Sequence, residues 1–415
     1  MIPLKITLKE IRDALSKLLK RVWRWWSKNW FYTTLIAVAV IGGVCAFLVV
    51  PFAVPQPFSK DDSISTLRQA VLVATGGVLA ILTLWENRRK NDQEHIRQVH
   101  AERRSRYATA IEQLADEKAP IRLGGVYTLV KLVDEWLADE KTLPNEEDRR
   151  EEGQAIVNSL CAYIRSPFDL ASKSEVLSQD KTPENYEGGN HQFVKDQAGF
   201  REEKELRLTI LLEIAKRLGS SIITIQRKDG HLDRKDAQQV KEGPWSNFNY
   251  DFSHAHFFYS INFFNRYFGT APKFVRTTFT TNARFLMTTF NGDAHFSGAS
   301  FAGGAYFGGA TFTGSAYFDG ATFTGSANFS LTAFQEKPMF INTKPWDETY
   351  KARFSYKVNP EDYNFNVSSK SPYKIDTEPQ ELNGVTLRIP EGATLFDPDD
   401  PSEQEDNDGS QRRPT

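Results

Sequence analysis

"FSGASFAGGAYFGGATFTGSAYFDGATFTGSANF", from Phe296 to Phe329, places phenylalanine at 296, 301, 307, 312, 318, 323 and 329. Followed outward, the series runs unbroken from Phe252 to Phe340, seventeen phenylalanines whose sixteen intervals alternate between five and six residues. An α-helix cannot use this spacing, because five residues turn it by about 140° and successive rings would leave the common face. A flat strand fails too, since a step of five reverses the face. Only a chain that turns a corner between successive phenylalanines keeps all of them inside.

Two further regularities fit such a coil. Alanine precedes phenylalanine by two at Ala255, Ala283, Ala294, Ala299, Ala305, Ala310, Ala316, Ala321 and Ala327, so a small residue shares the inward face with a large one. Glycine follows phenylalanine by two at Gly292, Gly298, Gly303, Gly309, Gly314, Gly320 and Gly325, where a corner calls for positive φ or tight turning. The expected structural core is therefore Phe285, Phe290, Phe296, Phe301, Phe307, Phe312, Phe318, Phe323 and Phe329 together with Ala294, Ala299, Ala305, Ala310, Ala316, Ala321 and Ala327.

This pattern resembles the pentapeptide-repeat family, whose repeat is A-x-[LF]-x-x. The resemblance implies a right-handed quadrilateral β-helix over residues 250–342. Here one residue is added at every second corner, so four sides take 22 residues. The segment then holds about four coils and stands about 20 Å tall at one strand spacing per coil. Open ends need caps. "GPWSNFNY" is expected to close one end, while "TYKARFSYKV" and "GVTLRIPEGATLF", within residues 343–397, supply strands for a C-terminal cap. Residues 398–415 form an acidic tail expected to be disordered.

The N-terminal quarter has a different chemistry. Residues 29–59 contain no charged side chain, and Phe31–Val54 is long enough to span a bilayer. Leu67–Trp85 is a second apolar stretch whose one charge, Arg68, lies near its end. Residues 30–86 are therefore expected to hold two transmembrane helices, 31–54 and 67–85. A cleaved signal peptide is disfavoured, because leader and apolar run are too long and no small-x-small site follows. Residues 1–28 carry eight Lys/Arg against two acids and "ENRRK" follows Trp85, whereas the connector "PQPFSKDDSIS" has one Lys. Both termini are thus expected in the cytoplasm, with the chain multi-pass in the plasma membrane. Gly42–Gly43 and Gly76–Gly77 fall near mid-span, where two helices would approach closely.

Residues 1–29 read as a basic amphipathic helix, with Leu4, Leu8, Ile11, Leu15, Leu18, Val22 and Trp26 on one face. Two arrangements satisfy that pattern: an anionic leaflet with Trp23, Trp25, Trp26 and Trp30 at headgroup level, or a coiled-coil dimer. Residues 87–245 read as a cytoplasmic helical domain with a polar, mobile loop at 166–200. Arg122 in "PIRLGGVYTLVKL" and Arg207 in "ELRLTILLEIAKRL" are 85 residues apart, about twice a HEAT period, so a short HEAT-like array is the expectation. The order of spans, "RYATAIEQLADEKAPIRLGGVYTLVKLVDE", "LCAYIRSPFD", "ELRLT" and repeats is similar to that of membrane-anchored pentapeptide-repeat proteins of actinobacterial type. The fold class is thus an α+β multidomain membrane protein: a transmembrane hairpin, an α-helical middle and a β-helix.

Chemistry-bearing constellations are missing from this reading. Cys45 and Cys161 make neither a disulfide framework nor a metal spacing. His254 and His256 flank the inward Ala255 and are expected to point outward on one strand; His95 and His100 do not share a helical face. The glycine-rich run has no P-loop lysine, and no nucleophile elbow or Ser-His-Asp set can be drawn. No catalytic, metal or cofactor residue is expected, and no small-molecule substrate. Residues 250–342 hold four acids and five bases, too mixed for the DNA mimicry by which some soluble members of that family bind gyrase, and too sparse for a nucleic-acid patch. The expected function is a non-enzymatic, membrane-anchored scaffold that presents the column to an unidentified protein partner. The alternatives are a conditional membrane-perturbing effector, acting as a homo-oligomer, and a gyrase modulator.

Overall fold

The computed structural model describes residues 30–50, 63–228, 231–343 and 348–404. The amphipathic helix expected at 1–29, nearly all of the connector between the spans and the tail beyond 404 lie outside these residues. The chain divides into two compact units, Met1–Glu102 and Arg103–Thr415.

In the first unit, α1 (Trp30–Val44) runs on through a π-helical turn, Cys45–Val49. Helix α2 is Ser63–Leu114, its last part belonging to the second unit. Both helices are long and apolar enough to cross a membrane. The expected span 67–85 is therefore not a separate helix: Trp85 is followed by Glu, Arg, Lys and Gln, which favour helix and offer no break. The two helices run antiparallel, with Lys90 Nζ donating to the Tyr32 hydroxyl (3.3 Å) at one end and Arg68 over the Phe47 ring (5.9 Å) at the other. Between them Gly42 sits against Thr75, and a Cβ there would run into that side chain. The expected glycine-to-glycine pairing is thus corrected. Gly43, Gly76 and Gly77 meet nothing within 4 Å.

The second unit opens with a helical bundle formed by the end of α2 with α3 (Ala119–Leu137), α4 (Glu146–Arg165), the single turn α5 (Ser174–Leu177) and α6 (Gly189–Arg217). Apolar residues at helical spacing fill it, among them Leu129, Val133, Val157, Leu160, Ile210 and Ile214, all buried. Asn145 caps α4 by accepting from the Glu147 amide, and Pro120 opens α3.

Three expectations about this region are corrected. Arg122 lies in the first turn of α3 and Arg207 about five turns into α6, so they are not equivalent places in a HEAT-like array. The loop expected at 166–200 contains a 3₁₀ turn (Asp169–Lys173), α5 and the start of α6, because widely spaced Ala171, Leu177, Phe193 and Phe200 are buried. And the stretch 220–241 is an antiparallel hairpin, β1 (Ser220–Lys228) with β2 (His231–Lys241), not helix.

The column follows as four parallel ladders of two-residue strands, each strand pairing with residues 22 places away. One ladder joins His256–Phe257, Thr278–Phe279, Ser300–Phe301 and Thr322–Phe323. The next joins Ile261–Asn262, Ala283–Arg284, Ala305–Tyr306 and Ala327–Asn328. A third joins Tyr267–Phe268, Thr289–Phe290, Thr311–Phe312 and Ala333–Phe334. In the fourth, Ala294–His295 pairs with Ala316–Tyr317, and single bridges add Asp251, Lys273 and Met339. The repeats thus form a β-solenoid of about four turns.

Inside, rings stack along the axis from coil to coil: Phe279 on Phe301 at 4.8 Å and 8°, Phe301 on Phe323 at 4.9 Å and 7°. Neighbouring stacks meet edge to face, as Phe285 does with Phe296 at 75°. Threonine replaces alanine at three inward positions, and its hydroxyl is never left bare: Thr277, Thr288 and Thr332 donate to the carbonyls of Phe252, Phe263 and Phe307.

The corners explain the alternation of five and six. Left-handed residues recur every eleven positions, at 254, 265, 276, 287, 298, 309, 320 and 331. Each is the third residue of a tight turn, closed for example by Ala299 N–H to the Phe296 carbonyl (3.0 Å). Only three of the eight are glycine. Gly303 and Gly325, at the alternate corners, have ordinary φ but lie against the backbone of the coil before, where a Cβ would collide.

Residues 353–396 do more than cap. Arg353–Ser355 and Thr394–Phe396 extend the first ladder, Tyr363–Asn364 extends the second, and Phe354 stacks on Phe323 at 4.7 Å. Among the described residues the fourth ladder has no strand above Met339. Pro338 there stands where Ala294 and Ala316 stand in earlier coils, and it has no N–H to offer a further strand.

Phe307 touches six rings and is fully buried, so Phe307→Ala is expected to cost about 3–5 kcal/mol in denaturant unfolding of the detergent-solubilised chain. At the corners the signs should oppose: Met287→Gly is expected to gain up to about 1 kcal/mol and Gly309→Ala to lose about as much, since one relieves and the other creates a left-handed side-chain residue.

Candidate interaction surface

All sixteen core residues expected from the sequence, Phe285 to Phe329 and Ala294 to Ala327, point inward and are no more than 1% exposed. They build the column and cannot touch a partner. Any surface that does so must use the residues between them, which the coil presents on four outward sides.

The fourth-ladder side carries Asp251, Lys273, His295, Tyr317 and Met339 one above another. His295 and Tyr317 stack face to face at 4.8 Å and 5°. The four acids of residues 250–342 belong to this side or its corners: Asp251, Asp293, which accepts from the Ser315 amide, Asp319, which accepts from Ser297 Oγ at 2.7 Å, and Glu336, hydrogen-bonded to Ser315. Lys273 and Lys337 are interspersed with them. Burial pulls the His295 pKa down, opposed by Asp293.

The first-ladder side is flat and small: Thr278, Ser300 and Thr322 follow one another in register beside His256. The expectation for the two histidines is corrected here. His254 occupies a left-handed corner (φ 62°) and is exposed, while His256 is half-buried with Nε2 2.8 Å from Thr280 Oγ1. They do not form an outward pair. The second-ladder side presents Asn262, Arg284, Tyr306 and Asn328, with Phe264 half-exposed at its lower end.

Where the column meets the helical bundle its surface is already used. Phe258, next to Phe257 on the first coil, faces the Arg207 guanidinium at 5.7 Å, and the rings of Tyr163 and Phe168 also lie within 6 Å of it. Arg207 is 1% exposed. Its Nε donates to Glu203 (2.7 Å), and its terminal nitrogens donate to the carbonyls of Ile164 and Ser166 (2.9 Å each). Arg122 (2.6 Å) and the Tyr163 hydroxyl (3.0 Å) complete the Glu203 carboxylate. The two arginines singled out in the sequence thus converge on one buried acid. Burial, then Glu203, pushes the Tyr163 phenol up to about 12. Further out, Trp245 Nε1 donates to Asp134, Gln154 bonds the Asn249 backbone in both directions, and Arg165 reaches Asp251. The hidden signal was the pairing of a buried arginine with an acid one turn earlier, Glu203 and Arg207 on α6.

Two depressions stand out among the described residues. A cleft of about 650 Å³ between α3 and α6 is lined by Asp134, Glu213 and Arg217, but Arg217 is already bound to both acids. A groove of about 850 Å³ beside Pro338 is lined by Met339, Ile341, Tyr373 and Ile375 with Lys337 and Lys374. Among the described residues no three His, Cys, Asp or Glu come together as metal ligands. Burial pushes the Cys161 thiol up to about 12, far from a reactive thiolate.

Arg207→Met would leave Glu203 buried with one cation fewer, so a loss of about 3–5 kcal/mol is expected. Adding Glu203→Gln should recover part of it; equal melting temperatures for the two variants and the parent would show that the ion pair does not hold bundle to column.

No curated protein and no solved structure matches this chain. Residues 267–311 match the family model described as pentapeptide repeats, in nine copies. That match lies inside the stacked coils, so residues 267–311 of the β-solenoid are pentapeptide repeats.

Proposed function

We propose that this chain is a non-enzymatic, membrane-anchored scaffold whose column serves as a docking surface for a protein partner in the cytoplasm. The observation that carries the reading is the division of labour in the coil. Every phenylalanine of the five-and-six series is spent on the interior, while the outward sides repeat in register from coil to coil and, among the described residues, gather no metal-ligand cluster. Repeat surfaces of that kind suit extended protein contacts.

Membrane anchoring is supported by the exposed aliphatic residues of α1 and α2, such as Ile36, Val40, Val73 and Ile81. Twenty residues, Trp30–Val49, reach about 30 Å, the thickness of a hydrocarbon core. The excess of arginine and lysine after Trp85 supports a cytoplasmic side for both termini.

A second reading is favoured by one observation. A side chain at Gly43, Gly76 or Gly77 would meet nothing within 4 Å, so each leaves room for the close approach of a further helix. Oligomers formed there would make the chain a conditional membrane-perturbing effector. Gyrase modulation is the weakest option, since Lys273 and Lys337 break up the acidic side.

Affinity purification of the full-length chain in mild detergent separates these readings. Under the scaffold reading a stoichiometric partner co-purifies with the parent. It should be lost from one of two variants, Thr278→Lys with Ser300→Lys on one side or Arg284→Glu with Tyr306→Glu on another. Recovery of the chain alone under several growth conditions, as a higher oligomer, would overturn it in favour of the effector.

A further inference from the structure

We propose that the membrane-proximal turn of α2 holds the phosphate of an anionic phospholipid, through Arg88 and Arg89 beside Trp85. The inference rests on the anchoring reading above and adds to it a specific lipid site.

The helical pair has one aromatic end. Trp30 and Tyr32 on α1 and Trp85 on α2 are 47%, 55% and 51% exposed, and Lys90 joins the two helices there through Tyr32. Exposed tryptophan and tyrosine at one level mark a membrane interface, because their rings prefer the boundary between acyl chains and water. At the opposite end the aromatic and charged side chains among the described residues are Phe47 and Arg68.

Just outside the aromatic level stand Glu86, Arg88, Arg89 and Lys90. Lys90 is committed: it donates to the Tyr32 hydroxyl, lies over that ring at 5.6 Å and is 3.7 Å from Glu86. That uses the nearest acid. Arg88 and Arg89 have no ion-pair partner among the described residues, although Asp92 is one turn away from Arg88. Arg89 is held over the Trp85 ring at 5.9 Å, which restricts its swing.

Four residues of helix rise about 6 Å, so with Trp85 at the acyl boundary the two guanidinium groups stand at the depth of the phosphate layer. Each fork has unspent donors and can take a phosphodiester bidentately, which a lone lysine does not. The charge balance selects an anionic headgroup over a zwitterionic one, whose choline or ethanolamine would bring a second cation beside the arginines.

The test is native mass spectrometry of the full-length chain in mild detergent, titrated with phosphatidylglycerol or phosphatidylcholine. Phosphatidylglycerol should bind the parent more tightly, and Arg88→Gln and Arg89→Gln should each weaken it about five-fold at low salt. Arg97→Gln, two turns further along, should leave it unchanged. Equal binding of the two lipids, or equal binding to parent and double variant, would overturn the site. Full displacement of lipid by excess inorganic phosphate would reassign it to a free anion. Alkaline carbonate extraction keeps the two readings apart: release of the parent chain from membranes defeats anchoring itself, whereas retention without lipid preference defeats only the lipid site.

Discussion

Stacking of phenylalanine on phenylalanine every 22 residues is the constraint on which the second unit depends. Each ring finds the same ring above and below at about one strand spacing, so a two-residue strand, too short to be stable by itself, is held by what lies under it. Small residues two positions earlier keep the interior from overfilling. Where threonine takes that place its hydroxyl reaches a carbonyl of the preceding coil, so polarity enters the core without an unpaired group. A change at one ring is therefore felt by two coils.

A stack must end, and the two ends are finished differently. At the helical end, Trp245, Phe248 and Tyr250 cover the first rings, and Phe248 presses so close to α4 that Gly153 leaves no room for a side chain. Arg207 then fastens the bundle with hydrogen bonds on its edge and rings on its faces. At the far end the chain makes longer excursions between rings, so Phe354 and Phe365 continue two of the stacks. Among the described residues the fourth ladder ends at Met339, beside Pro338, which has no N–H to offer a stray strand.

The column was legible in the sequence because its period is dictated by one residue type that can go nowhere but inside. The split of the corners was not legible, because glycine after phenylalanine serves two purposes that spacing alone does not separate. His254, Asn265, Arg276, Met287 and Leu331 show that stacking overrides the left-handed preference. The hairpin at 220–241 lies inside the stretch 87–245 expected to be a helical domain, although Asp229–Gly230 sits between two strand-length runs. The start of α6 was hidden by polarity: one buried aromatic in seven residues, Phe193 then Phe200, is too sparse for a helical stripe. Nor does sequence separation reveal that Arg122, 81 residues before Glu203, would share its carboxylate.

The same constraint shapes the candidate surface. Since the interior is built on the phenylalanine and the small residue two before it, a partner is met by the residue between them where that residue is exposed, as at Lys273 or Arg284, and not where it is buried, as at Thr289 and Thr311. A partner that reads the column therefore reads vertical rows, Asp251–Lys273–His295–Tyr317–Met339 or His256–Thr278–Ser300–Thr322, rather than any contiguous stretch of chain. Rows of this kind can change chemistry without cost to the stack. Affinity and stability are thereby separable in the column, whereas at Phe258 and Asp251, where the bundle already sits, they are not.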